Sequence, residues 1–407
     1  MKEFFKVKTL EQVFEYKSCF RIAETENIPL SHTDGRVLAE NILSDVDLPD
    51  FTRATMDGYA VRAASTFGAS EANPAYLDVK GVISMGEIPT FSLNPGEAAR
   101  ISTGGMLPRG ADAVVMIEHT EMLDNTAMEL CRSVAPGQHV VEIGEDMQKG
   151  ETVLSAGQQI RPQETGLLAA LGRKTVTVYK EPVISVVSTG DEIVPVEKFP
   201  GPGQIRDINT HTLQSLIKGA GAVPVSLGIV PDNYEMLFET CSQALAQSDM
   251  VLISGGSSVG TRDFTIDVLS AMPDAEILVH GISISPGKPT ILAKVGGKAF
   301  WGLPGHVVSA MVVFSIVVRP FVAYVRGLRH ERLFRVSARL GRNIPSAQGR
   351  TDFVRVRLTE KDDMLCAEPI LGKSGLIRTM TEADGLIEIG MNTEGLDKDT
   401  EVSVLIV

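Results

Sequence analysis

Between Pro182 and Val325 the chain alternates apolar runs of strand length with amphipathic stretches of helix length. Pro182-Val-Ile-Ser-Val-Val-Ser-Thr-Gly190 is apolar almost throughout, the pattern of a strand buried on both faces in a parallel sheet. Beyond it the spacing predicts helices over 207–219, 233–246 and 263–271 and strands over 223–229, 249–254 and 276–280. A hairpin-like pair over 290–302 and a long helix over 305–325 complete the run. Strands alternating with helices in this way define a doubly wound α/β domain, whose ligands bind outside the carboxyl ends of the strands.

The flanks read differently. Residues 8–24 carry a helical pattern with Leu10, Val13, Phe14 and Cys19 on one side, and Leu38–Leu43 reads as a short strand or extended piece. Asp47–Ala60 is polar and poorly periodic, a loop entering a new domain, and 59–140 is β-rich, with short apolar runs between Pro and Gly turns. Gly137–Gly157 again reads as loop, and 162–171 as a helix with Pro162 in its first turn. From 330 to 407 short alternating strands predict a small β barrel or sandwich.

Bulk properties narrow the function class. At roughly 100–200 residues per domain, 407 residues make about two to four domains. A net charge of −13 argues against a nucleic-acid binder and requires any anion site to rest on a local basic patch. Cys19, Cys131, Cys241 and Cys366 form no CxxC pair, which fits free thiols in a reducing compartment. The N-terminal stretch lacks the apolar core of a signal peptide, and the apolar run Val307–Val318 is too short to span a membrane. A cytoplasmic protein with no membrane or nucleic-acid partner is expected.

Candidate chemistry gathers at the predicted strand ends. The strand at 249–254 runs into Gly255-Gly256-Ser257-Ser258-Val259-Gly260 and then Asp263, a glycine turn able to present backbone N–H groups to phosphate beside a carboxylate. Ser188-Thr-Gly-Asp-Glu192 ends a buried strand with two acids; it reads either as a ligand-facing edge or as a helix N-cap with favourable first-turn charge. Ser285-Pro-Gly-Lys-Pro-Thr290 holds one lysine between prolines, a fixed point charge for an oxyanion. Gly302-Leu-Pro-Gly-His-Val-Val-Ser309 opens the long helix and is a plain turn or an anion-binding helix start. Thr55-Met-Asp-Gly-Tyr-Ala60, Arg100–Arg109 and Gly144-Glu-Asp146 are loop segments whose polar groups also suit ordinary turn caps. His119, His139 and His211 sit in no ligand spacing, and Trp301 alternates with apolar neighbours as a packing residue.

Taken in order, Thr55-Met-Asp-Gly-Tyr-Ala, Ser102-Thr-Gly, Gly144-Glu-Asp, Ser188-Thr-Gly-Asp-Glu, Ser254-Gly-Gly-Ser-Ser-Val-Gly, Pro286-Gly-Lys-Pro and Leu303-Pro-Gly resemble one family. It is that of the molybdopterin molybdotransferases, the bacterial MoeA proteins and the E domains of gephyrin and its plant homologue. The resemblance runs from about residue 8 to the C-terminus. It implies a multi-domain α/β plus β fold and a four-part, L-shaped subunit. Its parts are an elongated discontinuous domain over 1–48 and 141–178, a β-rich insert over 49–140, a MoaB/MogA-like α/β domain over 179–327 and a β barrel over 328–407. It further implies a homodimer with active sites shared between subunits, and an adenylyltransferase partner that supplies adenylylated molybdopterin. The reaction implied is hydrolysis of that adenylate, release of AMP and joining of molybdate to the dithiolene, assisted by Mg²⁺.

Carried over residue by residue, Asp263, Glu192 and Lys288 become the expected catalytic groups, with Asp263 and Glu192 holding the metal. Gly255, Gly256, Ser257, Ser258 and Gly260 are expected around the phosphates, with Thr189 and Asp191 at the first strand end. Pro286, Gly287, Pro289, Pro304, Gly305, Ser309, Arg350 and Ser374 are expected around the oxyanion and pterin, and Asp57, Thr103 and Asp146 face the cleft from the partner subunit. Mg²⁺ suits carboxylate and phosphate oxygens. Two departures stand out: Ser285 replaces a usual basic residue, and His306-Val-Val-Ser309 replaces Asn-Pro-Val-Ser. Loss of a desolvated cation there costs dianion affinity about 1–3 kcal/mol, and His306, Lys373 or Arg378 could restore the charge. The same changes leave open a paralogue that binds pterin or inserts tungstate, or a non-catalytic scaffold of this fold.

Overall fold

The computed structural model describes residues 7–255 and 264–407. The chain forms two compact units, one of 1–40, 156–166 and 174–407, the other of 41–155 and 167–173.

In the larger unit, β1 (Val183–Thr189), β2 (Val223–Val230), β3 (Met250–Ser254), β4 (Ala275–His280), β6 (Ile291–Val295) and β7 (Lys298–Leu303) form one sheet in the order β2-β1-β3-β7-β6-β4. The short strand between them, β5 (Ile284–Ser285), belongs elsewhere. The first four in that order are parallel, and the hairpin β6–β7 turns the sheet antiparallel at its far side. Val183–Thr189 is buried from Ile184 onward because both faces are covered. Ile184, Val186, Leu252 and Trp301 pack on one face against helix α1 (Asn209–Gly219) and the long apolar helix α4 (Val307–Val325). Val187, Val251, Ile253 and Phe300 pack on the other against α2 (Tyr234–Gln247) and α3 (Phe264–Ala271). This is the doubly wound arrangement expected from the sequence. Helix α4, Val307–Val325, is long and apolar enough to cross a membrane, but it is the central core helix of this unit. Its Phe321 meets Trp301 edge to face at 4.9 Å, so Trp301 is indeed a packing residue.

The C-terminal strands are β8 (Arg335–Leu340), β9 (Thr351–Lys361), β10 (Met364–Pro369), β11 (Gly385–Ile389) and β12 (Glu401–Ile406). They close on themselves as β9-β10-β8-β12-β11-β9, a five-stranded barrel filled by Val356, Ala367, Ile387 and Val404. The strand β5 pairs in parallel with β9, Ile284 opposite Thr351 and Ser285 opposite Asp352, so the barrel is tied directly to the α/β layer.

The smaller unit holds a second six-stranded sheet in the order Ala113–Met116, Gly58–Val61, Glu97–Ile101, Ala75–Ile83, Ala127–Leu130, Thr120–Met122. The loop expected over 47–60 therefore runs into a strand, Gly58–Val61, which takes up its last three residues. Gly58–Val61 is buried throughout, Tyr59 and Val61 toward one core and Ala60 toward the other, so no alternation signals it. The Gly137–Gly157 segment likewise contains short strands at Val140–Val141 and Thr152–Leu154. At the N-terminus the helix is only Leu10–Glu15, capped by Thr9, and a 3-10 turn over Tyr16–Cys19 follows. The chain is then drawn out, because Phe20 packs on Phe321 and Thr25–Pro29 pairs with Thr175–Tyr179.

The four cysteines, all among the described residues, are free. Burial pushes the Cys241 thiol up to about 12, which makes it an inert core group. Buried Glu164 in the first turn of the Pro162–Ala170 helix is hydrogen-bonded and ion-paired to the Arg161 guanidinium and also accepts from the Arg161 backbone at 2.9 Å, which together hold its carboxyl down to about 2. A depressed acid stabilises the fold above its unfolded value and loses that contribution as pH falls toward the folded one. Glu164→Gln is therefore expected to lower stability at neutral pH. The deficit should shrink as pH drops from about 4.5 toward 2, followed by urea unfolding with circular dichroism detection.

Candidate functional site

Where β5 joins the barrel, the structure opens a cleft of about 830 Å³. Its walls come from three segments: Ile282–Pro289, Pro304–Ser309 at the start of α4, and residues 344–374 of the barrel. Pro286, Gly287, Lys288, Pro289, Pro304, Ser309, Arg350 and Ser374, all expected from the sequence, line this one cleft. Gly287 sits at φ +119°, and a Cβ there would lie 2.4 Å from Val313 Cγ2, so only glycine lets this turn approach α4. Lys288 is exposed beyond it and has no side-chain partner among the described residues. Ser374 is fixed over the helix start: its carbonyl accepts from Val308 N at 3.0 Å, and its hydroxyl lies 2.9 Å from His306 Nδ1.

Two lining residues escaped the sequence reading. Asp352, 7% exposed, is ion-paired with Arg350 at 2.9 Å and accepts from Ser346 Oγ at 2.7 Å. Arg355 is buried and donates to Thr379 Oγ1 at 2.7 Å and to the Gly372 carbonyl at 2.8 Å. Burial pulls the Arg355 guanidinium below the usual arginine range, so it acts as a strut for the 372–374 loop. The available signal was strand parity. Val354, Val356 and Leu358 face the barrel interior, whereas Arg355 shares a face with Phe353, which packs into the α/β core.

The parallel strand ends carry a second constellation. Gly255, at φ +108°, lies so close to Thr189 that a Cβ would sit 2.2 Å from its carbonyl oxygen, and a Cβ on Gly305 would meet the Gly255 Cα at 3.7 Å. Thr189, Gly255 and Gly305 are therefore contiguous, and Pro304 continues the line into the cleft. Asn209 binds this junction, donating to Ser254 Oγ at 2.6 Å and to the Gly305 carbonyl at 2.8 Å. Asp207 accepts from Ser188 Oγ at 3.0 Å and from Thr210 N at 3.1 Å, pinning the start of α1. Thr189 Oγ1 donates to Asp232 at 3.0 Å, and Asp232 N donates to Asp191 at 3.1 Å. Asp232 was also missed, since nothing local marks the acid after β2 until Thr189 is seen beside it. Asp191 lines a second cleft of about 640 Å³ with Gly190, Asp207, His211 and Pro231. Glu192 is exposed, its carboxylate folded over Gly190.

Gly256, Ser257, Ser258, Gly260 and Asp263 lie outside the described residues. Among the described residues no group of three or more His, Cys, Asp and Glu side chains is arranged to hold a metal ion. The oxygen donors at the strand ends do suit a hard cation, and Glu192 has no side-chain partner among the described residues.

In the smaller unit Asp57 accepts from Thr103 N at 2.7 Å and from Thr103 Oγ1 at 3.1 Å, so these two exposed residues form one polar corner. Asp146 is also exposed, and its backbone N–H donates to the Leu48 carbonyl at 3.1 Å. Arg378 is turned to Glu382 at 2.7 Å, and Lys373 is exposed without lining the cleft.

A doubly wound α/β layer with a cleft lined by Lys288, Arg350 and serine hydroxyls against a small barrel defines a class that known proteins share. Residues 8–172 match the MoeA N-terminal region (domain I and II), 185–324 the "Probable molybdopterin binding domain", and 337–407 the MoeA C-terminal region (domain IV). The molybdopterin molybdenumtransferase of Bacillus subtilis is 33% identical over 94% of this chain and 90% of its own length. That of Haemophilus influenzae is 36% identical over 82% of this chain and 81% of its own. A crystal structure of the molybdopterin biosynthesis MoeA protein of Pyrococcus horikoshii OT3 covers 99% of this chain and 100% of its own, with 32% identity and a TM-score of 0.86. The chain belongs to the MoeA family.

Two glycines test the geometry. Gly287→Ala and Gly255→Ala each place a Cβ against atoms that cannot yield at a φ unsuited to alanine. Each is expected to cost about 1–3 kcal/mol of stability, measured by urea unfolding, whereas Gly35→Ala, which meets nothing within 4 Å, serves as the control for positive φ alone.

Proposed function

We propose that the chain is a molybdopterin molybdotransferase, which hydrolyses adenylylated molybdopterin, releases AMP and joins molybdate to the dithiolene sulfurs. The observation that carries this reading is the single cleft in which Lys288, Ser309, Arg350 and Ser374 converge, adjoining the strand ends at Gly305 and Gly255. A tetrahedral dianion needs cations and hydroxyl donors in a small space, and this cleft supplies both. The relatives named as molybdopterin molybdenumtransferases, alike over most of their length, support the same substrate class.

Glu192 and Asp263 are the proposed holders of Mg²⁺, which when bound stabilises charge on the phosphate oxygens and polarises water. Lys288 orients the oxyanion, while Thr189, held by Asp232, presents the strand end to the nucleotide. The Asp57–Thr103 corner is proposed to complete the site of a second subunit in a homodimer, with Asp146. An adenylyltransferase is the proposed supplier of substrate, and the cytoplasm the proposed compartment.

The test incubates the protein with adenylylated molybdopterin, Mg²⁺ and either molybdate or tungstate, and follows AMP release and metal incorporation. Lys288→Ala is expected to raise the half-saturating molybdate concentration about tenfold, the equivalent of ~1.4 kcal/mol. Asp263→Ser is expected to stop AMP release. AMP release unaffected by that change removes the carboxylate from the mechanism, and no release by the parent chain removes the transferase.

A further inference from the structure

We propose that His306 is the second cation of the oxyanion cleft and makes oxyanion capture dependent on pH. This rests on the transferase reading of that cleft. The charged side chains lining it are Lys288, Arg350, Asp352 and Arg355, together with the imidazole of His306. Arg350 is half neutralised by its ion pair with buried Asp352, and Arg355 is committed to Thr379 Oγ1 and the Gly372 carbonyl. From the loop packed against His306, Lys373 is exposed outside the cleft, and Arg378 on the helix after it is paired with Glu382. Lys288 is thus the one uncommitted permanent cation among the described lining residues, opposite a ligand of two negative charges.

His306 stands at the mouth of the cleft on the residue before α4, with Nδ1 2.9 Å from Ser374 Oγ. The backbone bond from Val308 N to the Ser374 carbonyl, 3.0 Å, holds that serine in place, so the pair is a fixed relay. A neutral ring protonated on Nε2 takes the Ser374 O–H as donor to Nδ1, and the hydroxyl proton is directed at the ring. On protonation the direction reverses: Nδ1–H donates to Ser374 Oγ, and the serine O–H is released to donate to an oxyanion. One proton gained therefore supplies a positive charge and frees a hydroxyl donor together. Bound dianion favours the protonated ring, so affinity is highest at low pH and falls as pH rises through the range, about 5 to 8, in which imidazole changes charge. Asparagine at this position, the usual residue of the resembled motif, can donate a hydrogen bond but cannot titrate.

The experiment is isothermal titration of molybdate into the full chain, without pterin, between about pH 5 and 8, with sulfate as a second probe whose charge is constant over that range. The parent chain is expected to lose affinity about tenfold from the low to the high end, and His306→Asn to bind with little pH dependence. Should His306→Asn not fold, judged by circular dichroism, His306→Gln gives the same readout. NMR of the His306 ring in the parent needs no variant, and its titration midpoint is expected to rise on adding molybdate. A flat parent profile, or an equal slope in the His306 variants, overturns the proposal; with AMP release retained, the transferase reading survives it. No molybdate or sulfate binding at any pH, together with no AMP release, overturns both.

Discussion

The parallel pairing of Ile284 and Ser285 with Thr351 and Asp352 is the constraint on which the site depends. It clamps the barrel to the α/β layer by main-chain hydrogen bonds, which are insensitive to side-chain identity. The segment that follows β5, Pro286–Pro289, therefore faces Arg350 across a fixed gap. Ser374, donated by the barrel to the start of α4, closes the far wall of the same gap. Without these two attachments Lys288, Arg350 and Ser374 would be three unrelated surface residues.

Around that clamp the structure separates rigidity from chemistry. Trp301, Phe314 and Phe321 fill the core beneath the cleft, and the doubly wound sheet puts its strand ends in register beside it. Asp207 and Asn209 transmit that register to the loops by hydrogen bonds within a buried layer, where an unpaired partner costs about 1–3 kcal/mol. The groups left for a ligand are those with no side-chain partner among the described residues, Lys288, the Ser309 hydroxyl and Glu192, together with the Ser374 hydroxyl that His306 holds in place. This division lets a chain with net charge −13 present a local patch of cation and hydroxyl donors at this cleft.

Much of this was legible in the chain. The alternation of apolar runs located the α/β elements to within a few residues, because strands buried on both faces and amphipathic helices carry strong patterns. The motifs at the strand ends were legible because glycines at Gly255 and Gly287 answer to local crowding, which leaves a local mark. What stayed hidden depends on contacts between distant segments. The strand Gly58–Val61 is short and covered on both sides, so no alternation marks it and its pattern resembles a loop. Asp352, Arg355 and Asp232 acquire their roles from Arg350, the 372 loop and Thr189, partners that no spacing announces. The N-terminal helix ended early for the same reason, since Phe20 gains more from Phe321 than from another helical turn.

The most direct test is to locate a heavy oxyanion bound to the protein. Crystals soaked in tungstate, examined by anomalous diffraction, are predicted to show tungsten between Lys288, Ser309, Arg350 and Ser374. Tungsten ordered elsewhere on the chain, with that cleft empty at the same occupancy, would contradict the account.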